Sequence, residues 1–176
     1  MQYYFAYGSN LHHRQMKRRC PKCRYIKKHI LHNYQLTFRS KYVACDIERK
    51  VGKKVYGALF IISKCAEKRL DVYEEYPTLY KKIYFKHKGF RVMTYTMVRK
   101  TKLVRPTERY LNIVKQGYKD CKLNIKSLQI ALQPVAHLLR KYQKHILNYK
   151  FFYYLKLLNI YVLERTCHHQ LAKIMK

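Results

Sequence analysis

Short apolar runs, separated by polar and charged segments, predict a sheet in the first half of the chain. Residues 2–7 (QYYFAY) form an aromatic run that ends at Gly8, and residues 55–62 (VYGALFII) form a second run that is apolar almost throughout. Between them, Tyr34, Leu36 and Phe38 alternate with polar residues, which is the period of a half-buried strand. These three segments therefore predict strands of one central sheet.

Three segments have the spacing of helices. The first covers residues 11–19 and stops at Cys20-Pro21. Ser9 or Asn10, which precede it, can act as its N-cap. The second is capped by Ser63 and continues through Tyr73, with apolar residues on one face. The third starts near Pro106 and ends before Gly117, because glycine commonly follows a helix C-terminus.

A hairpin completes the predicted domain. Residues 80–85 and 90–97 are strand-like and flank Lys88-Gly89, a dipeptide suited to a tight turn. The resulting fold class is α+β over residues 1–134, with a mostly consecutive sheet. Residues 135–176 differ in composition, and we interpret them as a basic, aromatic helical extension.

The extension does not have the pattern of a membrane span. Residues 146–163 are apolar, but Lys150, Lys156 and two asparagines interrupt them. Packing on the domain or on a partner explains the aromatic residues. An amphipathic helix lying at a membrane surface is one alternative, since the flanks are basic, and disorder or sequence decay is another.

The charge of the protein is strongly positive. Its 39 Lys and Arg residues against 9 Asp and Glu give a formal net charge of +30, which predicts non-specific attraction to polyanions. The basic segment 14–28 contains Tyr25 as its only aromatic residue, and no Walker loop or RNA-binding signature accompanies it. Compositional bias of an AT-rich genome is the preferred explanation of the charge, with the basic segment as a solvated face.

The six cysteines favour reduced thiols rather than disulfides, because the N-terminus has no secretory signal pattern; we expect a cytoplasmic protein. Four potential zinc ligands do occur close together, in Cys20-x2-Cys23 and His29-x2-His32. The gap between the two pairs is shorter than in zinc fingers, and Cys167-His168-His169 adds little. The prediction is therefore that no metal is bound.

The turn after the first strand is the best candidate for binding chemistry. A strand that ends in Gly8-Ser9-Asn10 and leads into a helix leaves several backbone N–H groups without acceptors. Glycine permits the positive φ that such turns often need, and the N–H groups attract a carboxylate, a phosphate or a developing oxyanion. An ordinary capped helix start is the alternative interpretation.

A larger set of motifs extends beyond this turn and resembles a known family. In chain order they are YFAYGSNL (4–11), RCP (19–21), VYGALF (55–60), LDVYEEYPTLYKK (70–82), PTERY (106–110) and GYKDCKLN (117–124). Over residues 2–134 the sequence is similar to the γ-glutamylcyclotransferase, or AIG2-like, family. The combination of YGSN with a downstream LD-x-x-E is much more specific than either motif alone.

The resemblance implies both a fold and a reaction. The implied fold is a compact mixed β-barrel of about six strands with surrounding helices and one cavity floored by the YGSN loop. Family members cyclise a γ-glutamyl group to 5-oxoproline and release the attached amine, without metal or cofactor. By motif position, Tyr7, Gly8, Ser9, Asn10 and Leu11 would hold the substrate.

Glu74 lies where the family carries its catalytic acid–base. A carboxylate in an apolar cavity has a raised proton affinity, so it can accept the proton of the α-amino group and return one to the departing amine. Glu75 stands where the family commonly has glycine, and an exposed acidic helix end is the alternative for both residues. Tyr80 and Tyr110 match family tyrosines near the cavity and could contact the substrate, or could belong to the core.

Two functions follow from the sequence. The first is a cofactor-independent γ-glutamyl cyclotransferase acting on a γ-glutamyl amine, peptide or amide. The alternative is an inactive family scaffold that uses its basic surface to bind nucleic acid, an anionic membrane or a protein. The sequence leaves open the leaving amine and the choice between monomer and homodimer.

Overall fold

The computed structural model describes residues 1–39 and 43–133, and single positions 140, 150 and 153. The chain divides into two units, Met1–Val135 and Ala136–Lys176, and the description concerns the first. The predicted helical extension lies outside the described residues except at those three positions, so its structure stays a prediction. None of the described helices is long and apolar enough to cross a membrane.

The described residues form one mixed sheet of five strands, which confirms the α+β class. The strands are β1 (Gln2–Ala6), β2 (Arg24–Arg39), β3 (Ala44–Ile62), β4 (Tyr80–His87) and β5 (Phe90–Met97). Their order is β2-β3-β1-β5-β4, in which β1 and β5 pair in parallel and all other neighbours are antiparallel. The strands therefore do not lie in the sheet in the order in which they follow one another along the chain, because β1 lies in the centre.

The sheet curls like a barrel but is not closed by hydrogen bonds. Its two edge strands, β2 and β4, meet through aromatic rings. The His29 ring of β2 stacks on Phe85 of β4 with 5.8 Å between ring centroids, and it contacts His87 edge-on at 4.4 Å. The implied barrel of about six strands is thus, in the described part, an open five-stranded sheet with its edges in contact.

Strands β2 and β3 are far longer than the apolar runs indicate. Their antiparallel pairing begins with Arg24 opposite Ile61 and ends with Arg39 opposite Ala44. The paired residues include a segment rich in lysine and histidine. Most of residues 24–33 and all of residues 49–54 are exposed, so charged side chains there stay in water while the backbone remains paired, whereas residues 36–39 and 57–60 are buried on both faces. Lysines on an edge strand such as β2 also discourage pairing with another chain.

The second predicted helix is confirmed, as α2 (Lys64–Tyr73). The Ser63 side chain accepts a hydrogen bond from the Ala66 N–H, which is the expected N-cap. The first predicted helix is divided into a 3-10 turn, Ser9–Leu11, and α1, His13–Arg19. Neither Ser9 nor Asn10 caps a helix with its side chain, so that expectation is wrong; both side chains make tertiary hydrogen bonds instead.

The third helix, α3 (Glu108–Asp120), continues through Gly117, so the expected end before that residue is wrong. Gly117 is required for packing rather than for a C-cap. A Cβ atom there would lie 2.6 Å from Leu11 Cβ and 2.7 Å from the His12 backbone nitrogen. The absence of a side chain lets α3 press against the 3-10 turn and fixes the position of the YGSN loop.

A buried ionic cluster joins β2, β3 and β5 beside this loop. Asp46 is fully buried and accepts hydrogen bonds from Arg39 Nε, Lys100 Nζ, Thr96 Oγ1 and the Met97 N–H. A buried carboxylate is tolerated only when its oxygens are satisfied in this way. The cluster holds the start of β3, and thus the neighbouring Cys45, in place.

Candidate functional site

A cavity of about 390 Å³ lies where β1, the beginning of β3, the end of α2 and α3 come together. Its wall is mostly aromatic and hydroxylated, because six tyrosines line it: Tyr4, Tyr7, Tyr73, Tyr80, Tyr95 and Tyr110. The YGSN loop and Glu74 line the same space. A volume in this range suits a small ligand.

Gly8 brings the loop close to the opposite wall. Its φ of −118° is not in the left-handed region, so the expected positive φ is wrong. A Cβ atom at this position would lie 3.0 Å from Cys45 Cβ and 3.5 Å from the Tyr110 hydroxyl. Glycine is therefore needed for space at the cavity wall.

The 3-10 turn leaves backbone donors beside the cavity. Its first hydrogen bond runs from the Leu11 N–H to the Gly8 carbonyl, at 3.0 Å. The N–H groups of Ser9 and Asn10 precede that bond and so have no acceptor within the turn. Both residues line the cavity, which supports the anion-binding interpretation of this turn.

Glu74 is placed by the way α2 ends. The Glu75 N–H bonds to the Val72 carbonyl at 3.2 Å, and the Tyr76 N–H bonds to the Asp71 carbonyl at 2.9 Å. These are the two bonds of a Schellman motif, whose residue after the C-cap adopts the left-handed conformation. Glu75 has φ of +49°, which explains why glycine is suited to this position. The motif puts Glu74 at the C-cap.

The side chain of Asn10 holds the Glu74 carboxyl group. Asn10 Nδ2 donates to Glu74 Oε1 at 2.8 Å and to the Tyr4 hydroxyl at 2.8 Å. Glu74 as a residue is partly exposed, but its carboxyl group points into the cavity. The link between the first turn of the chain and the acid at position 74 is therefore a direct hydrogen bond.

Arg19 in turn orients Asn10, a role that the sequence did not indicate. Its guanidinium donates to Asn10 Oδ1 at 2.5 Å and to the Tyr73 hydroxyl at 2.7 Å, and it lies 3.6 Å from the centroid of the Tyr73 ring. With Oδ1 occupied by a cation, the amide must turn Nδ2 toward Glu74. The only signal in the sequence was the RCP motif, which begins at Arg19.

Burial raises the pKa of Glu74 from 4.5 to about 7, because removal from water disfavours the carboxylate. The hydrogen bond from Asn10 and the charge of Arg19 oppose this effect. The tyrosines behave differently: burial raises the pKa of Tyr4, Tyr7 and Tyr110 well above 10. At neutral pH the tyrosines are neutral, and Glu74 exchanges its proton.

Three of the six tyrosine hydroxyls are hydrogen-bonded to the backbone of the cavity wall. Tyr80 donates to the Cys45 carbonyl at 2.7 Å, and the Cys45 N–H donates to the Tyr110 hydroxyl at 3.0 Å. Tyr7 donates to the Tyr95 carbonyl at 2.8 Å. These tyrosines therefore shape the cavity, whatever contacts they make with a ligand.

The structure brings together seven of the eight residues named from the sequence. Tyr7, Gly8, Ser9, Asn10, Glu74, Tyr80 and Tyr110 all line the cavity. Leu11 does not: it is fully buried in the core under Gly117. Tyr4, Tyr73, Tyr95 and Cys45 also line the cavity and were not indicated by the sequence, since nothing local distinguishes them from core residues.

The cysteines and histidines that were considered as zinc ligands have other contacts. Cys20 is buried with its thiol 3.5 Å from the Ala66 carbonyl, and His29 lies against Phe85. Within residues 1–39 and 43–133, no three His, Cys, Asp or Glu side chains form a group that could hold a metal ion. Burial also raises the pKa of Cys45 to about 12, so its thiol is protonated.

Comparison with known proteins gives matches at the level of family and fold. The profile of the family described as gamma-glutamyl cyclotransferase, AIG2-like, matches residues 4–118. A solved structure described as a gamma-glutamyl cyclotransferase has a TM-score of 0.66 at 23% identity, covering 74% of this chain and 85% of that one. An uncharacterized protein from Homo sapiens has a TM-score of 0.64, with the same identity and coverage.

A third structure, YkqA from Bacillus subtilis, has a TM-score of 0.62 at 17% identity, covering 77% of this chain and 54% of that one. A comparison with curated proteins gives no match. At these identities the three structures show the fold alone. The profile match shows the family, because it covers more than half of the chain; it includes the YGSN loop, Glu74 and Tyr110. The chain therefore belongs to the AIG2-like gamma-glutamyl cyclotransferase family.

Proposed function

We propose that this protein is a γ-glutamyl cyclotransferase, which converts a γ-glutamyl amine, peptide or amide to 5-oxoproline and a free amine. One observation carries the proposal: the Glu74 carboxyl group, with its pKa near 7, opens into the same cavity as the YGSN loop and is hydrogen-bonded to Asn10. Membership of the family supports the reaction class.

The first step needs a base. An α-amino group with a pKa of about 8 is mostly protonated at neutral pH and is then not a nucleophile. Ionised Glu74 takes one proton from it. The freed nitrogen attacks the γ-carbonyl carbon of the same molecule, a new N–C bond closes the five-membered ring, and the carbonyl oxygen becomes an oxyanion.

The second step needs an acid. The oxyanion collapses to a carbonyl, the bond between the γ-carbon and the leaving nitrogen breaks, and protonated Glu74 supplies a proton to that nitrogen. The ring nitrogen loses its second proton to the released amine as it becomes an amide, so the amine leaves as an ammonium ion and Glu74 is ionised again. One carboxyl group thus serves as base and then as acid, and a pKa near the working pH is best for both roles.

The YGSN loop supplies positioning and charge stabilisation. In this proposal the N–H groups of Ser9 and Asn10 bind the α-carboxylate or the developing oxyanion of the substrate. Nucleophile and electrophile belong to one molecule, so holding that molecule in a folded shape contributes much of the rate. The narrow approach at Gly8 brings the backbone close enough to act in this way.

The test is the formation of 5-oxoproline from a panel of γ-glutamyl amino acids and γ-glutamyl amines. We expect activity with at least one member of the panel, and a loss of about 10²- to 10⁴-fold in kcat for Glu74→Gln, which is the usual contribution of a general acid–base. Glu108→Gln is the matched control, because it makes the same change on an exposed helix end outside the cavity. Equal background rates for wild type and Glu74→Gln would overturn the proposal.

A further inference from the structure

A second cavity, of about 760 Å³, lies at the two edges of the sheet. It is lined by consecutive residues of β2 (28–32) and β4 (85–87), by Tyr56 of β3 and by the segment 122–124 after α3. No residue lines both this cavity and the one that contains Glu74. We call it the edge cavity.

One wall of the edge cavity is aromatic. His29 and Phe85 are stacked with an angle of 4° between their planes, and His87 contacts His29 edge-on. Phe5 supports both His29 and Phe85 from the core, at 5.7 and 5.8 Å between centroids. A wall of packed rings favours an aromatic group in a ligand.

The rim of the edge cavity is positively charged. Lys28, Lys86 and Lys122 line it and are exposed, and no acidic side chain among the described residues does so. None of the ion pairs found in the described part of the chain involves these lysines. The lysines therefore leave a local excess of positive charge, which favours an anion.

The imidazole groups of His29 and His87 favour the neutral form. Burial lowers the pKa of His29 to about 4, and burial also lowers that of His87. The Nε2 atom of His87 is buried and has no hydrogen-bond partner in the described structure. Buried polar atoms are normally hydrogen-bonded, so this atom lacks a partner that a polar group of a ligand could supply after a small movement of the ring.

From these observations we infer that the edge cavity binds an aromatic anion of the nucleoside monophosphate class. The base lies against the His29 and Phe85 rings, where His87 Nε2 can bond to one of its polar atoms. The phosphate lies at the rim, among the lysines. The inference is independent of the cyclotransferase proposal, because the two cavities share no residue.

The experiment is a calorimetric titration of the full chain with adenosine monophosphate, compared with adenosine and with inorganic phosphate. We expect adenosine monophosphate to bind at least about tenfold more tightly than either fragment, since stacking and charge both contribute. If inorganic phosphate binds as tightly as adenosine monophosphate, the binding reflects only the general attraction of anions to a basic protein, and the inference is overturned. Absence of nucleotide binding would do the same.

Two variants locate the site. Lys86→Glu and Phe85→Ala should each weaken binding about tenfold, a typical loss for a phosphate-binding charge or a stacking ring. Lys68→Glu, an exposed change of the same charge on α2, should weaken binding less than about twofold. Equal weakening by Lys68→Glu and Lys86→Glu contradicts the inference. Lys86 is exposed, so its variant tests the site even if Phe85→Ala fails to fold.

A further comparison separates a free nucleotide from the end of a nucleic-acid strand. If a short oligoadenylate and the mononucleotide bind equally tightly, the natural ligand is a free nucleotide; tighter binding of the oligomer indicates a single strand. Either result supports the edge cavity as the binding site only if Lys86→Glu weakens the binding of that ligand. Ring signals of His29 and His87 in NMR spectra should shift with the nucleotide, and signals that do not move would place any binding elsewhere.

Discussion

The raised pKa of Glu74 predicts that catalysis and stability oppose each other at this residue. Burial makes the ionised carboxyl group unfavourable in the folded protein, and the pKa rises from 4.5 to about 7. The informative perturbation is Glu74→Gln, which keeps the shape of the side chain and removes its ionisation. The variant should lose the activity and gain stability.

The sign follows from proton linkage. Between pH 4.5 and about 7 the folded protein keeps the Glu74 proton while the unfolded chain releases it, so the free energy of unfolding falls as pH rises through this window. The loss is complete above the folded pKa. At about 1.4 kcal/mol per pKa unit, the shift corresponds to about 3 kcal/mol. For a single residue this is a large effect.

The assay is urea denaturation of wild type and Glu74→Gln at several pH values from about 5 to about 8. The difference in the free energy of unfolding between the two proteins should change by about 2.5 kcal/mol across this range, in favour of the variant at high pH, because part of the effect falls below pH 5. Glu108→Gln should run parallel to wild type, because that carboxyl group is exposed. A constant difference between wild type and Glu74→Gln would refute the reasoning, since the carboxyl group would then not be desolvated.

Three further substitutions test the contacts around the site. Arg19→Met removes a positive charge that favours the Glu74 carboxylate, so it should raise the pKa that controls kcat/KM above about 7 and reduce activity. The control Arg18→Met changes an exposed arginine and should leave the pH profile unchanged. Glu75→Gly should stabilise the protein by about 0.5–1 kcal/mol in urea denaturation, since φ of +49° is strained for glutamate; a loss of stability would contradict the Schellman interpretation. Gly117→Ala should destabilise it by several kcal/mol, as an added Cβ meets backbone atoms at 2.7 Å, and an unchanged thermal midpoint would show that α3 can move away freely.

Local patterns were sufficient for elements whose signals lie within a few residues. The cap at Ser63 and the hairpin around Lys88-Gly89 were found because a side chain bonds a nearby N–H, or a turn needs positive φ, without help from distant residues. Conversely, Gly117 was misjudged. Glycine ends helices when nothing else is known, but here its missing side chain serves a contact with the 3-10 turn, more than 100 residues away in the sequence.

The long strands illustrate a second limit. The charged segment from Arg24 to His32 has no strand-like alternation, yet it pairs with β3 along its whole length. Backbone hydrogen bonds to the apolar strand β3 stabilise the extended conformation of this segment, although its side chains do not favour a strand. Strand propensity alone therefore underestimates β2 and misses the edge cavity that β2 forms with β4.

The sequence by itself indicated the family, the α+β class and most residues of the candidate site, because YGSN and LD-x-x-E are short motifs whose spacing can be read directly. Only the tertiary structure decided that Asn10 would hold Glu74 instead of capping a helix, and that Arg19 would orient Asn10. It also decided the pKa of Glu74, since that value depends on how much water the surrounding tyrosines exclude. Burial and orientation come from residues far apart in the chain, and no local pattern encodes them.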